Sequence, residues 1–344
     1  MTTAANMTPA AKPEVCVIIA AKDAQATIAR AIASALREPE TAEVIVVDDG
    51  SADETATAAR HADDQSGRLT VIRFESNRGP AAARNHAISV SRSPVLAVLD
   101  ADDFFLPGRL GRLLCEKDWD FIADNIAFMD EAAASAAPAV IDHFPPQPRN
   151  LHLIDFVDGN ISRRNARRGE IGFLKPLVRR DFLEGHSIRY RETLRLGEDY
   201  DLYLRALAKG ARYKIIHSCG YAAIVRSNSL SGSHRTEDLK RLYEADRNVL
   251  AVTSLDREAT AAIRRHERHV RGRYQHRHFL DLKNQQGAKA AIGYLLRKPE
   301  AIAAVTMGIL ADKTERFRHS REEPIGLGGS GGLRYLLSDT VNRP

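Results

Sequence analysis

Val95-Leu96-Ala97-Val98-Leu99-Asp100-Ala101-Asp102-Asp103 is an apolar run that drives straight into three carboxylates within four residues. An unbroken apolar run of this length, without polar alternation, is the pattern of a strand buried on both faces. Alternate positions on an extended chain share a side, so Asp100 and Asp102 are placed to face one ligand together. Carboxylates at that spacing suit a hard cation such as Mg²⁺ or Mn²⁺, which in turn holds a diphosphate. An acidic turn closing a buried strand would carry the same residues.

Upstream, the same device recurs. Residues 15–21 (Val-Cys-Val-Ile-Ile-Ala-Ala) are continuously apolar, and residues 44–47 end abruptly in Asp48-Asp49-Gly50-Ser51. Residues 69–74 read as a further strand. Between them lie helical patterns: Ile28, Ile32 and Leu36 at four-residue spacing with Pro39 as a stop, then a helix opened by Ser51 and Glu54 at capping-box spacing and running to His61. Asn77-Arg78-Gly79-Pro80 reads as a turn before a helix over 81–90. Four strand–helix alternations predict an α/β fold, a mostly parallel sheet flanked by helices. Ligands bind such sheets outside the carboxyl ends of the strands. Asp48-Asp49 and Asp100-Asp102 therefore fall on one rim.

Downstream the alternation fades. Residues 106–119 read as a helix and 121–129 as a strand, 132–139 carry little information, and Pro145-Pro146-Gln147-Pro148 reads as a stiff connection. Residues 151–160 and 173–182 have mixed, loop-rich patterns with basic residues, Lys175 among them. Residues 197–207, with Gly197, Glu198 and Asp199 at the start, predict a helix capped by Gly210. Glu198 and Asp199 would sit in its first turn, where carboxylates also suit the helix dipole. Short strands follow at 213–216 and 221–225, then a polar loop, Arg226 to His234. From 237 to 318 the pattern is helical. Residues 263–278 carry six arginines, four histidines and one glutamate. That segment is either a solvated basic face or an electrostatic contact for anionic lipid, with residues 301–311 as an apolar foothold at the interface.

The 344 residues, 44% hydrophobic and 28% charged, suit a soluble globular chain long enough for two domains. A net charge of +5 is compatible with anionic ligands. Three dispersed cysteines (Cys16, Cys115, Cys219) make no metal-ligand spacing. The first 13 residues lack the features of a signal peptide, and no apolar stretch approaches the roughly 20 residues of a spanning helix. A cytoplasmic protein is expected. No glycine-rich phosphate loop or Gly-X-Gly-X-X-Gly follows the first strand, which disfavours a nucleotidyltransferase and a dehydrogenase. The basic segment lacks the aromatic interleaving of a nucleic-acid module.

Taken in order, Val17-Ile18-Ile19, Val46-Val47-Asp48-Asp49-Gly50-Ser51, Asn77-Arg78-Gly79-Pro80-Ala81-Ala82-Ala83-Arg84-Asn85, Leu99-Asp100-Ala101-Asp102-Asp103 and Glu198-Asp199 resemble the motifs of the family 2 glycosyltransferases over about residues 14–235. Within that family the chain is most similar to bacterial exopolysaccharide glucosyltransferases of the succinoglycan type. The resemblance implies a GT-A fold, with a donor half (14–130), an acceptor half (131–235), a basic helical extension (236–318) and flexible ends (1–13 and 319–344). It implies an inverting, metal-dependent transfer of a hexose, from UDP-glucose, to a lipid-linked saccharide by single addition, with Mg²⁺ or Mn²⁺ as cofactor. Cytoplasmic placement at the inner membrane face follows from such an acceptor, and contact with anionic membrane is a further expectation.

In the family pattern Asp49, beside Asp48, meets the uracil base. Asp102 is the metal ligand with Asp100 near ribose and metal, Asp103 stabilises the loop, and Asp199 of the Glu198-Asp199 pair is the general base. Arg84 lies in the third motif and is expected at the donor, while Arg226 and the 229–234 loop ending in His234 close over the diphosphate. An aromatic that often follows the first strand is missing; Ala21, Lys22 and Asp23 stand there, and Lys22 is expected to offer a cationic contact instead. The Gln-X-X-Arg-Trp motif of processive members is absent, and the sole tryptophan is Trp119. Other readings of the same residues are a sugar-nucleotide nucleotidyltransferase and a non-catalytic nucleotide-sugar-binding protein.

Overall fold

Strands with no polar alternation must lie inside a sheet, and the first four do. The structure, a computed structural model, describes residues 14–131, 148–161, 171–225, 235–319 and 334–337. Strands β1 (Val15–Ala21), β2 (Thr41–Asp48), β3 (Leu69–Arg73) and β4 (Val95–Val98) alternate with α1 (Ile28–Leu36), α2 (Thr55–His61) and α3 (Pro80–Val90). They pair in parallel in the order β3-β2-β1-β4. Ile18 lies opposite both Ile45 and Val98, and Ala21 opposite Asp48. The carboxyl ends of β2, β1 and β4 thus reach one rim together, as the topology rule requires.

The chain continues through β5 (Phe104–Phe105), α4 (Arg109–Leu114), β6 (Phe121–Met129), β7 (Arg149–Asn150), α5 (Leu153–Asp158), β8 (Leu177–Arg179), α6 (Arg180–Gly185), α7 (Glu198–Ala208) and β9 (Tyr213–Ile224). Beyond β4 the sheet runs β8-β6-β9-β5, with β8 antiparallel to both neighbours and β6 parallel to β9. This is a mixed α/β fold with a mostly parallel sheet, as the sequence predicts. Helices α8 (Thr236–Val252), α9 (Arg257–Gln286), α10 (Ala288–Arg297) and α11 (Ile302–His319) follow, and β10 (Arg334–Tyr335) pairs with β6.

Several local expectations fail for physical reasons. The Ser51–Glu54 capping box does not form: the Ser51 hydroxyl accepts from the Asp23 N–H at 2.9 Å, and α2 begins at Thr55. The helix expected over 106–119 is confined to α4, because Asp118 takes a positive φ of 57° and Trp119 turns back to donate to the Glu116 carbonyl. Residues 213–224 form one strand, not two, with a register irregularity opposite Asn125 that accommodates the polar stretch 217–219. The mixed segments 151–160 and 173–182 supply α5, β8 and part of α6. The basic stretch is not a simple solvated face. Arg265 pairs with Asp158 of α5 at 2.8 Å, and Glu267 receives Arg247 and Arg271 at 2.8 and 3.2 Å. Arg264, Arg268 and Arg277 remain exposed. The expectations for 1–13, 132–139, Pro145 to Gln147 and the glycine-rich segment 326–332 lie outside the described residues.

One buried ion pair joins this scaffold to the site. Arg109 and Asp124 are both fully buried, with Arg109 Nε and Nη2 donating to Asp124 Oδ1 at 3.0 and 2.9 Å. The guanidinium lies against Phe105 and Tyr221 and also donates to the backbone carbonyl of Lys175. Removing one partner of a buried pair strands the other charge in a dry interior. Arg109→Met is therefore expected to lower stability by about 3–5 kcal/mol in urea denaturation, whereas the double change Arg109→Met/Asp124→Leu should recover a good part of that loss.

Candidate active site

Each strand end on the rim carries a carboxylate with a different task. Asp48 closes β2; it is wholly buried, and its Oδ1 accepts from the Ser51 N–H at 3.0 Å, tightening the turn. Gly50 follows with φ +66°, and a Cβ there would meet the Ser76 and Asn77 backbone at 2.8–2.9 Å. Only glycine permits that approach. The approach lets Asp49 accept from the N–H groups of Arg78 and Gly79 at 2.6 and 2.8 Å. Both oxygens of Asp49 thus hold the turn that starts α3. After β1, the Lys22 ammonium donates to the Gly50 carbonyl at 2.9 Å, tying the first loop to the second.

The turn after β4 meets α7 through two buried cations. Arg84 of α3 sends Nη2 to Asp100 Oδ1 and Nη1 to Glu198 Oε1 and Asp199 Oδ1, all at 3.0 Å. Lys175 places its ammonium 2.9 Å from both Asp100 Oδ2 and Asp199 Oδ2. The Tyr190 ring backs the Arg84 guanidinium at 5.4 Å. Gly197, with φ +71°, turns the chain so that Glu198 and Asp199 fall in the first turn of α7. Residues 84, 100, 175, 198 and 199 therefore form one cluster of two cations and three carboxylates.

The electrostatics follow from this packing. Burial works against ionised Asp100, but the Lys175 and Arg84 charges outweigh it and hold its carboxyl at about 2. Lys175 shows the mirror image: burial disfavours its charge, yet Asp100 and Asp199 raise its pKa above the ordinary lysine value. Burial and the adjacent Asp199 push Glu198 up. Asp103 is separate. It is buried and accepts from the Tyr221 hydroxyl at 2.8 Å and the Ile224 N–H at 2.9 Å, which ties its turn to β9. Tyr221 in turn accepts from the Asp100 N–H at 3.1 Å. Burial, with Asp100 and Asp102 nearby, pushes the Asp103 carboxyl up to about 8. Asp102 is half-buried, and its backbone carbonyl accepts from Arg30 at 3.4 Å.

Asp48, Asp49, Lys22, Arg84, Asp100, Asp102, Asp103, Glu198 and Asp199 all lie on or beside this rim, whereas Arg226 and His234 lie outside the described residues. Sequence reasoning missed Lys175 and Tyr221 as members of the site. The available signal for Lys175 was a lone charge in Phe173-Leu174-Lys175-Pro176-Leu177, where apolar neighbours demand a buried partner. A second missed feature supports α7 from beneath. The Tyr200 hydroxyl donates to Asp246 at 3.2 Å, Asp246 contacts His266 Nδ1 at 2.7 Å, and the His266 ring stacks on Tyr200 at 4.2 Å.

A mostly parallel α/β sheet with strand-end carboxylates on one rim and an acidic helix start beside them is the GT-A architecture that the sequence implies. Residues 16–133 match the profile described as glycosyl transferase family 2. The chain belongs to that family and is a glycosyltransferase. It is 68% identical to the succinoglycan biosynthesis protein ExoU of Rhizobium meliloti over 340 residues, 98% of this chain and 99% of that protein. It is 35% identical to the succinoglycan biosynthesis protein ExoO of the same organism, covering 87% of this chain and 86% of that one. Among solved structures, S. aureus TarS 1-349 in complex with UDP-GlcNAc superposes with a TM-score of 0.57 at 18% identity, covering 85% of this chain and 79% of that one.

Asp103 gives a measurable pH signature. A carboxyl whose folded-state pKa lies above its unfolded value keeps its proton when folded while the unfolded chain has lost it, so stability falls as pH rises between the two. For Asp103 that window runs from 3.8 to about 8. In metal-free protein, Asp103→Asn should flatten the stability profile across this window and leave the variant at least as stable as the parent near neutral pH, where the parent has already lost stability to this carboxyl. Urea midpoints measured at successive pH values check this; an unchanged slope would show that Asp103 is ionised throughout.

Proposed function

We propose that this chain is an inverting glucosyltransferase of succinoglycan assembly. It would move a hexose from UDP-glucose to a hydroxyl of a lipid-linked saccharide by single addition, giving a β-linked product. The observation that carries the reading is the sharing of Arg84 and Lys175 between the Asp100 turn and Asp199, which brings the expected donor side and the expected base onto one rim. The polymer is supported by the 68% identity to a protein named for succinoglycan biosynthesis. A uridine nucleotide donor is supported by the UDP and UDP-GlcNAc complexes of TarS.

In this reading Asp199 accepts the proton of the acceptor hydroxyl as its oxygen attacks the anomeric carbon. The new bond forms on the face opposite the departing diphosphate, which leaves with the electron pair of the old bond, so the centre inverts. Arg84 and Lys175 hold positive charge beside the forming anion, where low dielectric strengthens it. Lys22 and Asp49 keep the base-side loops in place, and Arg226 and His234 are assigned to the segment over the diphosphate.

The donor set fits a divalent cation of the diphosphate-bound kind. Asp100 is engaged by Arg84 and Lys175, and Asp103 by Tyr221 and Ile224, and no all-protein group of three or more ligands occurs among the described residues. Mg²⁺ typically takes only one or two carboxylates and completes its shell with substrate phosphates and water. Asp102, with Asp100 beside it, would hold Mg²⁺ or Mn²⁺. Once bound, the ion supplies charge neutralisation at the diphosphate. A lipid-linked acceptor places the protein at a membrane face, and contact with anionic lipid belongs to the same reading.

Two variants separate the roles. Asp199→Asn is expected to lower kcat by roughly 100- to 10,000-fold while leaving UDP binding, measured by calorimetry with Mn²⁺, within about threefold. Asp102→Ala should abolish the Mn²⁺-dependent part of UDP binding. Wild-type turnover of UDP-glucose by either variant would sink the assignment.

A further inference from the structure

Over residues 302–311, helix α11 is apolar on the side it buries and largely apolar on the side it does not. Inward, Ala301 just ahead of it and Val305 are buried, Ala304 faces Gly272 of α9, and Gly308 sits so close to His276 that a Cβ would meet the ring at 2.3 Å. Outward it presents Ile302, Met307 and Leu310, with Ala303 and Thr306 between them, all exposed. Helix α10 repeats the pattern. Ala291 is buried, while Ile292 and Leu296, one turn apart and so on one face, are 55% and 78% exposed. The other large exposed hydrophobics among the described residues, Val90, Val225 and Val252, lie apart in sequence on other elements. Isolated exposed apolar residues need no explanation, but a set gathered on consecutive helices does.

Cations bracket this set. Lys289 lies one turn before Ile292, Arg297 and Lys298 follow Leu296, and Lys313 lies one turn beyond Leu310; all are exposed. Two acidic residues lie among them, Glu300 at 4.0 Å from Lys298 and Asp312 at 3.5 Å from His276, so four cations face two carboxylates and the surface keeps a net positive charge. A second copy meeting this face across a two-fold axis would set the same cations against one another. A bilayer rich in anionic lipid instead offers acyl chains to the centre of the face and phosphates to its ends. No helix among the described residues is long and apolar enough to cross a membrane, so contact through this face is interfacial.

We propose that the outward face of α10 and α11 docks onto an anionic phospholipid surface. Ile292, Leu296, Ile302, Met307 and Leu310 enter the headgroup–acyl boundary, and Lys289, Arg297, Lys298 and Lys313 meet the phosphates. This deepens the reading of a lipid-linked acceptor and rests on it for its use. It is measured without donor or acceptor, so failure of docking and failure of transfer are separate results.

The test is flotation of the full chain with phosphatidylglycerol-containing vesicles against phosphatidylcholine vesicles. The protein is expected to float with the former at low salt and to be released as salt rises, each Lys or Arg at the surface contributing about fivefold. Leu296→Ser/Met307→Ser/Leu310→Ser should reduce partitioning by at least about tenfold with UDP binding unchanged. Lys298→Gln/Lys313→Gln should weaken binding to the anionic vesicles alone; if the serine variant loses UDP binding through misfolding, this pair carries the test. A full chain that stays soluble at low salt overturns the proposal, as do well-folded variants that float like the unaltered protein. So does light scattering that shows a dimer which the serine variant breaks.

Discussion

Two buried cations cannot stand in a protein interior without their counterions, and that requirement organises this molecule. Arg84 and Lys175 are almost wholly withdrawn from water, and each is held by carboxylates from elements far apart in sequence. Charges out of water are tolerable only when paired with good geometry. The N-terminal half of α3, the turn after β4, the approach to β8 and the first turn of α7 must therefore arrive together. Each has its own fastening. Arg109 grips the Lys175 carbonyl, Tyr221 receives the Asp100 N–H, and Asp246 holds Tyr200 beside Asp199. The fold and the site are thus maintained by the same few contacts.

The N-terminal half was legible because its signals are local. A strand buried on both faces reads as an unbroken apolar run, and β1, β2 and β4 read so, each followed at once by polar residues that mark the rim. The other half was not, because its elements are too short to impose a period. β8 is three residues long and β5 two, and both are defined by what they pair with. Lys175 precedes one of these, so its partners could not be named from sequence; Arg84 was visible only through the family motif around it. The capping-box spacing at Ser51 and Glu54 misled because Ser51 had a tertiary partner, Asp23, that outcompeted the local one. His266 and Glu267 looked like part of a charged tail, yet both are buried, His266 against Asp246 of α8 and Tyr200 of α7, and Glu267 against Arg247 of α8 and Arg271 of its own helix.

That last point changes how the C-terminal helices relate to the chemistry. His266 and Asp246 lock Tyr200, and Tyr200 is the next residue after Asp199. Gly272 and His276, on the same helix as His266, seat α11. From His266 to Gly272 is about 9 Å along a helix rising 1.5 Å per residue. A continuous packed path therefore runs from the outward face of α11, through α9, to the acidic pair, with no loop in it. Interiors packed at crystal-like density transmit displacement with little compliance. A bilayer seated on α10 and α11 would then fix the height of Asp199 above the lipid surface, and an acceptor sugar tethered to that surface would have its hydroxyl presented within a narrow range of heights. Restricting the search in this way lowers the entropy lost in reaching the reactive geometry. The helical extension would act on the reaction by setting that distance, while taking no part in bond making.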